Sequence, residues 1–392
     1  MLLTERQTVT LFHPPASLTL ESGGRLGPIT VAYETYGTYN GANAVLILHA
    51  LTGDSHVAGR YRPEDPKPGW WDPLVGPGKA FDTERYFVVC SNVLGGCQGT
   101  TGPASLDPAT GLPYGPDFPV VTVRDMVQVQ RALVERLGIR RLLAVAGGSL
   151  GGMQALEWAV QFPDQVAGSI PIAANARFHA QGIAFNEVQR RAILNDPGWQ
   201  GGRYYPGPGP AAGLAVARML GMITYRSLES MEEQFGRQVR RGGEDAPWQD
   251  FDPHFSVETY LEHQGEALVR RFDANSYLYL SKAMDLHDVS RGFPSHEAAL
   301  ARIRARMLVV GIRSDLLFPP QQQRGLTQDL LKAGVDARYL EMDSPWGHDS
   351  FLVDHHLLAP TIRDFLEELS QGEEAGEPLR PAASHPEGRR WA

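Results

Sequence analysis

The chain has 392 residues, 42% of them hydrophobic and 21% charged, with 36 Lys and Arg against 45 Asp and Glu for a formal net charge of -9. That is the make-up of a globular protein large enough for one big core or for a core carrying a substantial insertion, and its acidic balance disfavours nucleic acid as a partner. Two cysteines, Cys90 and Cys97, are too few for a disulfide framework, and no basic-then-apolar leader or run of ~18 apolar residues occurs, so a cytoplasmic protein outside the membrane is expected.

In chain order, short β-branched and apolar runs ending in small residues predict strands at Ile29–Ala32, Ala44–His49, Tyr86–Cys90, Leu142–Ala146, Val166–Ile172, Met307–Val310 and Ala337–Leu340. Between the third and fourth of them, Val123, Met126, Val127, Leu133, Val134 and Leu137 recur at helical spacing, and Gly138 supplies the stop. Strands alternating with helices predict an α/β fold with a mostly parallel sheet. After Asn175 the pattern turns helical and polar-faced to about Leu300, broken by the Pro/Gly-rich stretch from Gly198 to Gly213, before strands resume at Met307. The expected organisation is a core in two parts, 1–175 and 301–370, interrupted by a helical insertion over 176–300 and followed by a disordered tail over 371–392, where little apolar surface is available to bury.

The run Gly147-Gly148-Ser149-Leu150-Gly151-Gly152 joins a predicted strand to a predicted helix at Met153–Gln161. A sharp strand-to-helix turn needs residues without side chains on both sides, and it lifts the serine hydroxyl clear of the backbone. A hydroxyl is a poor nucleophile at neutral pH, so it requires a base and a carboxylate to orient that base. Asp315 follows the strand ending near Val310, and His348 follows the next strand, giving the order serine, acid, histidine expected for this turn. The amide of Leu150 and that of Leu51, in the segment after the Ala44–His49 strand, are the candidate donors for an oxyanion. Without that task the Leu51 segment is simply a tight turn.

Taken together, His49-Ala50-Leu51-Thr52-Gly53-Asp54, Gly95-Gly96-Cys97-Gln98-Gly99-Thr100-Thr101-Gly102-Pro103, Gly147 to Gln154, Ile223-Thr224-Tyr225-Arg226-Ser227 and Gly347-His348-Asp349-Ser350-Phe351-Leu352 resemble the homoserine O-acyltransferases of the α/β-hydrolase superfamily. The resemblance runs from near residue 25 to near residue 370. It implies an α/β-hydrolase fold, a mostly parallel sheet with helices on both faces and a helical lid insertion. It also implies transfer of an acetyl group from acetyl-CoA to homoserine through an acyl-Ser149 intermediate, in methionine biosynthesis, with the lid shielding that ester from water. Arg218, Tyr225 and Asp349 are carried over as acceptor-binding residues, since a guanidinium suits a carboxylate and a carboxylate suits an ammonium group. The competing readings are a solvated helix-face charge for Arg218 and a packing role for Tyr225. Family members that prefer succinyl-CoA tend to carry an arginine two residues after the acid of the triad; here that position is Leu317, which favours acetyl, with Arg313 nearby as the one residue that could upset this. Succinyl-CoA as donor, serine as acceptor, and water as acceptor in an esterase remain the alternatives, alongside a non-catalytic scaffold. The resemblance further implies a homodimer, expected to form through the lid helices.

The glycine-rich loop from Gly95 lacks the Lys-Ser/Thr ending of a phosphate-binding loop. No H-E-x-x-H or paired C-x-x-C occurs, and His355 and His356 are adjacent on a helix and cannot face one ion, so neither a metal nor a tightly bound cofactor is expected. Cys97 has no assigned base and reads as a packed residue.

Overall fold

Eight strands join one sheet: β1 (Gln7–Leu11), β2 (Ile29–Tyr36), β3 (Ala44–Leu48), β4 (Phe87–Ser91), β5 (Leu142–Gly148), β6 (Val166–Ile172), β7 (Arg306–Ile312) and β8 (Ala337–Met342). These come from a computed structural model that describes residues 2–243 and 245–374. The order across the sheet is β1-β2-β4-β3-β5-β6-β7-β8. β2 pairs antiparallel with both β1 and β4, and every pairing from β4 across to β8 is parallel. Every residue of β3, β5 and β6 is buried, which explains why these strands read as unbroken apolar runs: a parallel sheet is covered on both faces.

The two covers are distinct. On one face lie α1 (Val123–Arg136) and α2 (Leu150–Gln161), contributing Met126, Leu133, Met153, Leu156 and Trp158 to one core cluster. On the other lies α11 (His355–Glu374), which follows α9 (Pro320–Lys332) and α10 (Ser350–Val353) in the chain and whose Leu358, Ile362, Phe365 and Leu369 pack with Trp71 and Phe81. Thr122 starts α1 with a capping box, its hydroxyl accepting from the Asp125 amide while the Asp125 carboxylate accepts from the Thr122 amide.

Between β6 and β7 run α3 (Ala180–Leu194), α4 (Ala211–Tyr225), α5 (Leu228–Gln234), α6 (Ser256–Val269), α7 (Ala274–Asp285) and α8 (His296–Leu300), with α4 packed between α3 and α6. The two ends of this excursion are tied together. The Phe178 amide donates to the His287 carbonyl at 3.1 Å and the Val289 amide to the Ala176 carbonyl at 2.9 Å. Arg124 of α1 donates to the carbonyls of Arg291 at 3.0 Å and Val289 at 3.4 Å, fastening the return to the core.

Three boundaries differ from expectation. β1 was not foreseen: Gln7-Thr8-Val9-Thr10-Leu11 sits on the sheet edge with only Leu11 buried, and so carries little apolar signal. β2 runs on through Tyr33-Glu34-Thr35-Tyr36, because tertiary donors satisfy the buried Glu34 carboxylate: Tyr36 and Tyr61 hydroxyls at 2.7 Å, and Thr4 and His56 at 3.1 Å. Finally, α11 continues to Glu374, so the segment expected to be a tail from 371 begins in helix; residues 375–392 lie outside the described ones. Among the described residues no helix is long and apolar enough to cross a membrane.

Candidate active site

Ser149 stands between β5 and α2 with φ 59° and ψ -123°, a left-handed conformation that a residue with a side chain adopts only under constraint. The constraint is supplied by its neighbours. A Cβ on Gly151 would fall 2.0 Å from the Leu48 carbonyl oxygen, one on Gly147 2.5 Å from the same atom, and one on Gly148 2.4 Å from the Phe351 ring. The glycines thus let the turn press against the end of β3, and the serine is left 5% exposed at the amino terminus of a twelve-residue helix, where developing negative charge is favoured.

The loops after β7 and β8 bring the other two groups together. One Asp315 oxygen accepts from the Leu317 and Phe318 amides, both at 2.8 Å, and the other accepts from His348 Nδ1 at 2.7 Å. The imidazole is stacked on Phe318 at 5.2 Å and contacts the rings of Tyr225 and Phe351 at 5.8 and 5.7 Å. Its Nε2 is buried and makes no hydrogen bond among the described residues. Burial disfavours the imidazolium, but the charge and hydrogen bond of Asp315, with Asp349 adding to them, outweigh it and hold the His348 pKa above the ordinary histidine value. Gly347, with φ 75°, lets this loop close on the end of α4, since a Cβ there would lie 2.7 Å from the Tyr225 carbonyl oxygen.

Ser149 and His348 line one cavity of about 180 Å³ together with Leu51, Thr52, Trp70, Arg218, Tyr225, Arg271 and Asp349. Arg218 reaches in from α4 with its guanidinium 5.7 Å from the centre of the Tyr225 ring. Burial pushes the Asp349 carboxyl above its usual range, against the charges of His348, Arg218 and Arg226. Leu317 is buried in the core cluster and does not line this cavity, and Arg313 is paired with Asp343 and Glu229 outside it.

Several working residues were passed over in the sequence. His49, buried, donates from Nδ1 to the Ala50 carbonyl at 2.7 Å and accepts at Nε2 from the Val93 amide at 3.0 Å, a bonding pattern that fixes one neutral tautomer; burial lowers its pKa in the same sense. Gln154 of α2 donates to the His49 carbonyl at 3.3 Å and is itself held by Gln130, whose carbonyl accepts from Trp158. This chain ties the Leu51 segment to the helix that carries Leu150. Both residues stood inside motifs without an evident task; a histidine and a glutamine beside glycines announce no chemistry until their partners, 44 and 24 residues away, are in place. Arg271 lies between α6 and α7 and had no motif at all. Among the described residues no cluster of His, Cys, Asp or Glu could hold a metal ion.

Over residues 43–355 the chain matches the family described as alpha/beta hydrolase fold. It is 63% identical over 378 residues to a homoserine O-acetyltransferase of Symbiobacterium thermophilum, covering 96% of this chain and 98% of that protein. The crystal structure of homoserine O-acetyltransferase from Bacillus anthracis superimposes with a TM-score of 0.87 at 34% identity, covering 93% of this chain and 98% of that one. Esterase E22 superimposes with a TM-score of 0.85 at 33% identity, covering 93% of this chain and all of the other. A strained serine, a histidine held by a buried aspartate, and similarity at this level over nearly the whole length lead to one statement: the chain belongs to the homoserine O-acetyltransferase family, enzymes of the α/β-hydrolase fold.

Proposed function

We propose that the protein transfers the acetyl group of acetyl-CoA to the side-chain hydroxyl of L-homoserine in two half-reactions. The observation that carries this reading is the joining, in one small cavity, of Ser149 and His348 with Arg218 and Asp349, a cation and an anion that match the two charged groups of an amino acid and that water has no use for. Relatives named for the same reaction at 50–63% identity support it.

In the first half-reaction the Ser149 oxygen attacks the thioester carbonyl and its proton passes to His348 Nε2, while the Leu51 and Leu150 amides receive the oxyanion. Collapse expels the thiolate of CoA, which takes the proton from His348. In the second, the homoserine hydroxyl gives its proton to His348 and attacks the acyl-serine, and Ser149 departs with that proton. Asp315 keeps Nδ1 protonated throughout. Arg218 holds the acceptor carboxylate, Asp349 its ammonium group, and Tyr225 walls the space between them. Acetyl-CoA enters as a co-substrate, and the chemistry calls for neither a metal nor a bound cofactor.

A homodimer through the lid is supported by exposed apolar side chains on α3 and α4, Ile183, Val188, Val216 and Ile223. The free thiols of Cys90 and Cys97 fit a reducing, cytoplasmic setting. The test is free-thiol release from acetyl-CoA and from succinyl-CoA, each with homoserine, with serine and without acceptor. Release from acetyl-CoA that rises sharply on adding homoserine is expected; equal release without any acceptor would make the protein a thioesterase and remove the acceptor site.

A further inference from the structure

Resting on that reading, we propose that Arg271 is a second acceptor-binding residue, closing with Arg218 on the carboxylate of the amino acid. Arg271 belongs to the short link between α6 and α7, yet its side chain lines the same cavity as Ser149, His348 and Arg218. The link is pinned from below: Gln98 of the glycine-rich loop donates to the Arg271 carbonyl at 2.6 Å, and the Asp273 amide donates to Cys97 Sγ at 3.4 Å. One guanidinium nitrogen of Arg271 donates to the Thr52 carbonyl at 2.7 Å, which orients the fork and leaves its other N–H groups for a ligand.

The charge balance of the cavity gives the fork its task. Among the described residues neither Arg218 nor Arg271 is in an ion pair. Arg271 instead feels its neighbour: burial first, and then the Arg218 charge, lower the Arg271 pKa, with Asp54 acting the opposite way. Two cations and one carboxylate, Asp349, therefore face the space above Ser149. An α-amino acid whose ammonium group meets Asp349 brings a single carboxylate, and two guanidinium groups converging on its two oxygens complete the neutralisation. The phosphates of CoA are the competing anion, but they sit at the far end of the pantetheine arm when the thioester is at Ser149. A side chain that lines a cavity of about 180 Å³ around the nucleophile reaches the acceptor and not those phosphates.

The test compares wild type with Arg271→Gln and Arg271→Lys on L-homoserine and on L-homoserinol, which keeps the amine and the reacting hydroxyl but has no carboxylate. Acetylation of Ser149 by acetyl-CoA, read by intact mass in a single turnover, is expected to be unchanged. The KM for homoserine is expected to rise at least tenfold in Arg271→Gln with kcat changed less, the lysine variant lying between, while kcat/KM for homoserinol stays within about threefold. Equal losses on both acceptors would overturn the proposal and leave Arg271 a mere anchor of the Thr52 loop. So would a raised KM for acetyl-CoA, or a loss confined to succinyl-CoA, either of which would assign the cation to the donor. Wild type failing to acetylate homoserine at all would instead refute the parent reading, so the two failures are distinguishable.

Discussion

Replacing Asp315 with asparagine keeps the size of the side chain and changes the protons around it. One oxygen of Asp315 accepts two buried amides, Leu317 and Phe318, at 2.8 Å. The asparagine carbonyl must remain there, because turning its NH2 to those donors would leave both without an acceptor at about 1–3 kcal/mol each. The NH2 is then directed at His348 Nδ1, which can only accept, so the ring proton moves to Nε2 and the base is lost. A misplaced tautomer of this kind lowers the rate about 10⁴-fold, or roughly 5.5 kcal/mol at 1.36 per decade. The assay is acetyl-enzyme formation by rapid mixing and intact mass, with urea unfolding as the control for the fold. The same series checks electrostatics: the wild-type rate should fall with acid as His348 becomes protonated, through a pKa held above 6.5 by Asp315 and Asp349 against burial. A properly folded Asp315→Asn protein that loses less than tenfold in acylation would refute the reasoning.

Two further outcomes follow from the packing around the nucleophile. Glu157 on α2 is 2% exposed, and burial, opposed by Arg124, pushes its carboxyl up from 4.5 to about 7. A carboxyl raised in the folded state favours folding while protonated, so the wild type should lose about 3 kcal/mol relative to Glu157→Gln as pH rises from 4.5 through 7, the loss levelling off only above the folded-state value. Urea midpoints of the two proteins that run parallel across this window would contradict the assignment. In Gly148→Ala the new methyl would lie 2.4 Å from the buried Phe351 ring, itself 5.7 Å from His348. Overpacking of this kind costs about 1–3 kcal/mol, read as a lowered Tm, and a displaced His348 should lower kcat more than the KM for acetyl-CoA; unchanged stability and turnover would mean that the turn is looser than these contacts imply.

The strained Ser149 and the Asp315–His348 pair, proposed to carry the covalent chemistry, are legible in sequence because such a turn demands glycines at fixed offsets and because Asp315 and His348 each follow a strand. The apolar runs of β3, β5 and β6 were legible for a related reason: strands buried on both faces leave no room for polar alternation. What could not be read was set by partners distant along the chain. Glu34 extends β2 only because Tyr36, Tyr61, Thr4 and His56 converge on it, and β1 gains its place by pairing along the sheet edge rather than by burial. His49 and Gln154 were visible as letters in motifs, but their work is relational, one fixing the Leu51 segment through the Val93 amide and the other tying it to α2. Arg271 had no local signal, since its position depends on where Gln98 and Cys97 hold a link between two lid helices.

A serine triad alone does not separate a transferase from an esterase, since both begin by acylating the serine and differ only in what attacks the ester. Water is present at far higher concentration than any metabolite, so transfer wins only if the acceptor hydroxyl is held near the ester with a large effective concentration. The triad contributes nothing to that contest, because His348 activates water as readily as an alcohol. The outcome rests on the groups that grip the remainder of the acceptor, and in this cavity the ones proposed for that task are Arg218 from α4, Arg271 from the α6–α7 link and Asp349 beside His348. Two of the three come from the insertion between β6 and β7, so on this proposal the segment that lines the cavity beside Ser149 also supplies the acceptor site. Shielding and selection are thereby coupled: a substitution that loosens the lid should raise hydrolysis of the acetyl-enzyme while lowering transfer. The partition between free acetate and O-acetylhomoserine, measured at fixed acetyl-CoA, is therefore the quantity in which lid residues differ from triad residues, which slow both fates together.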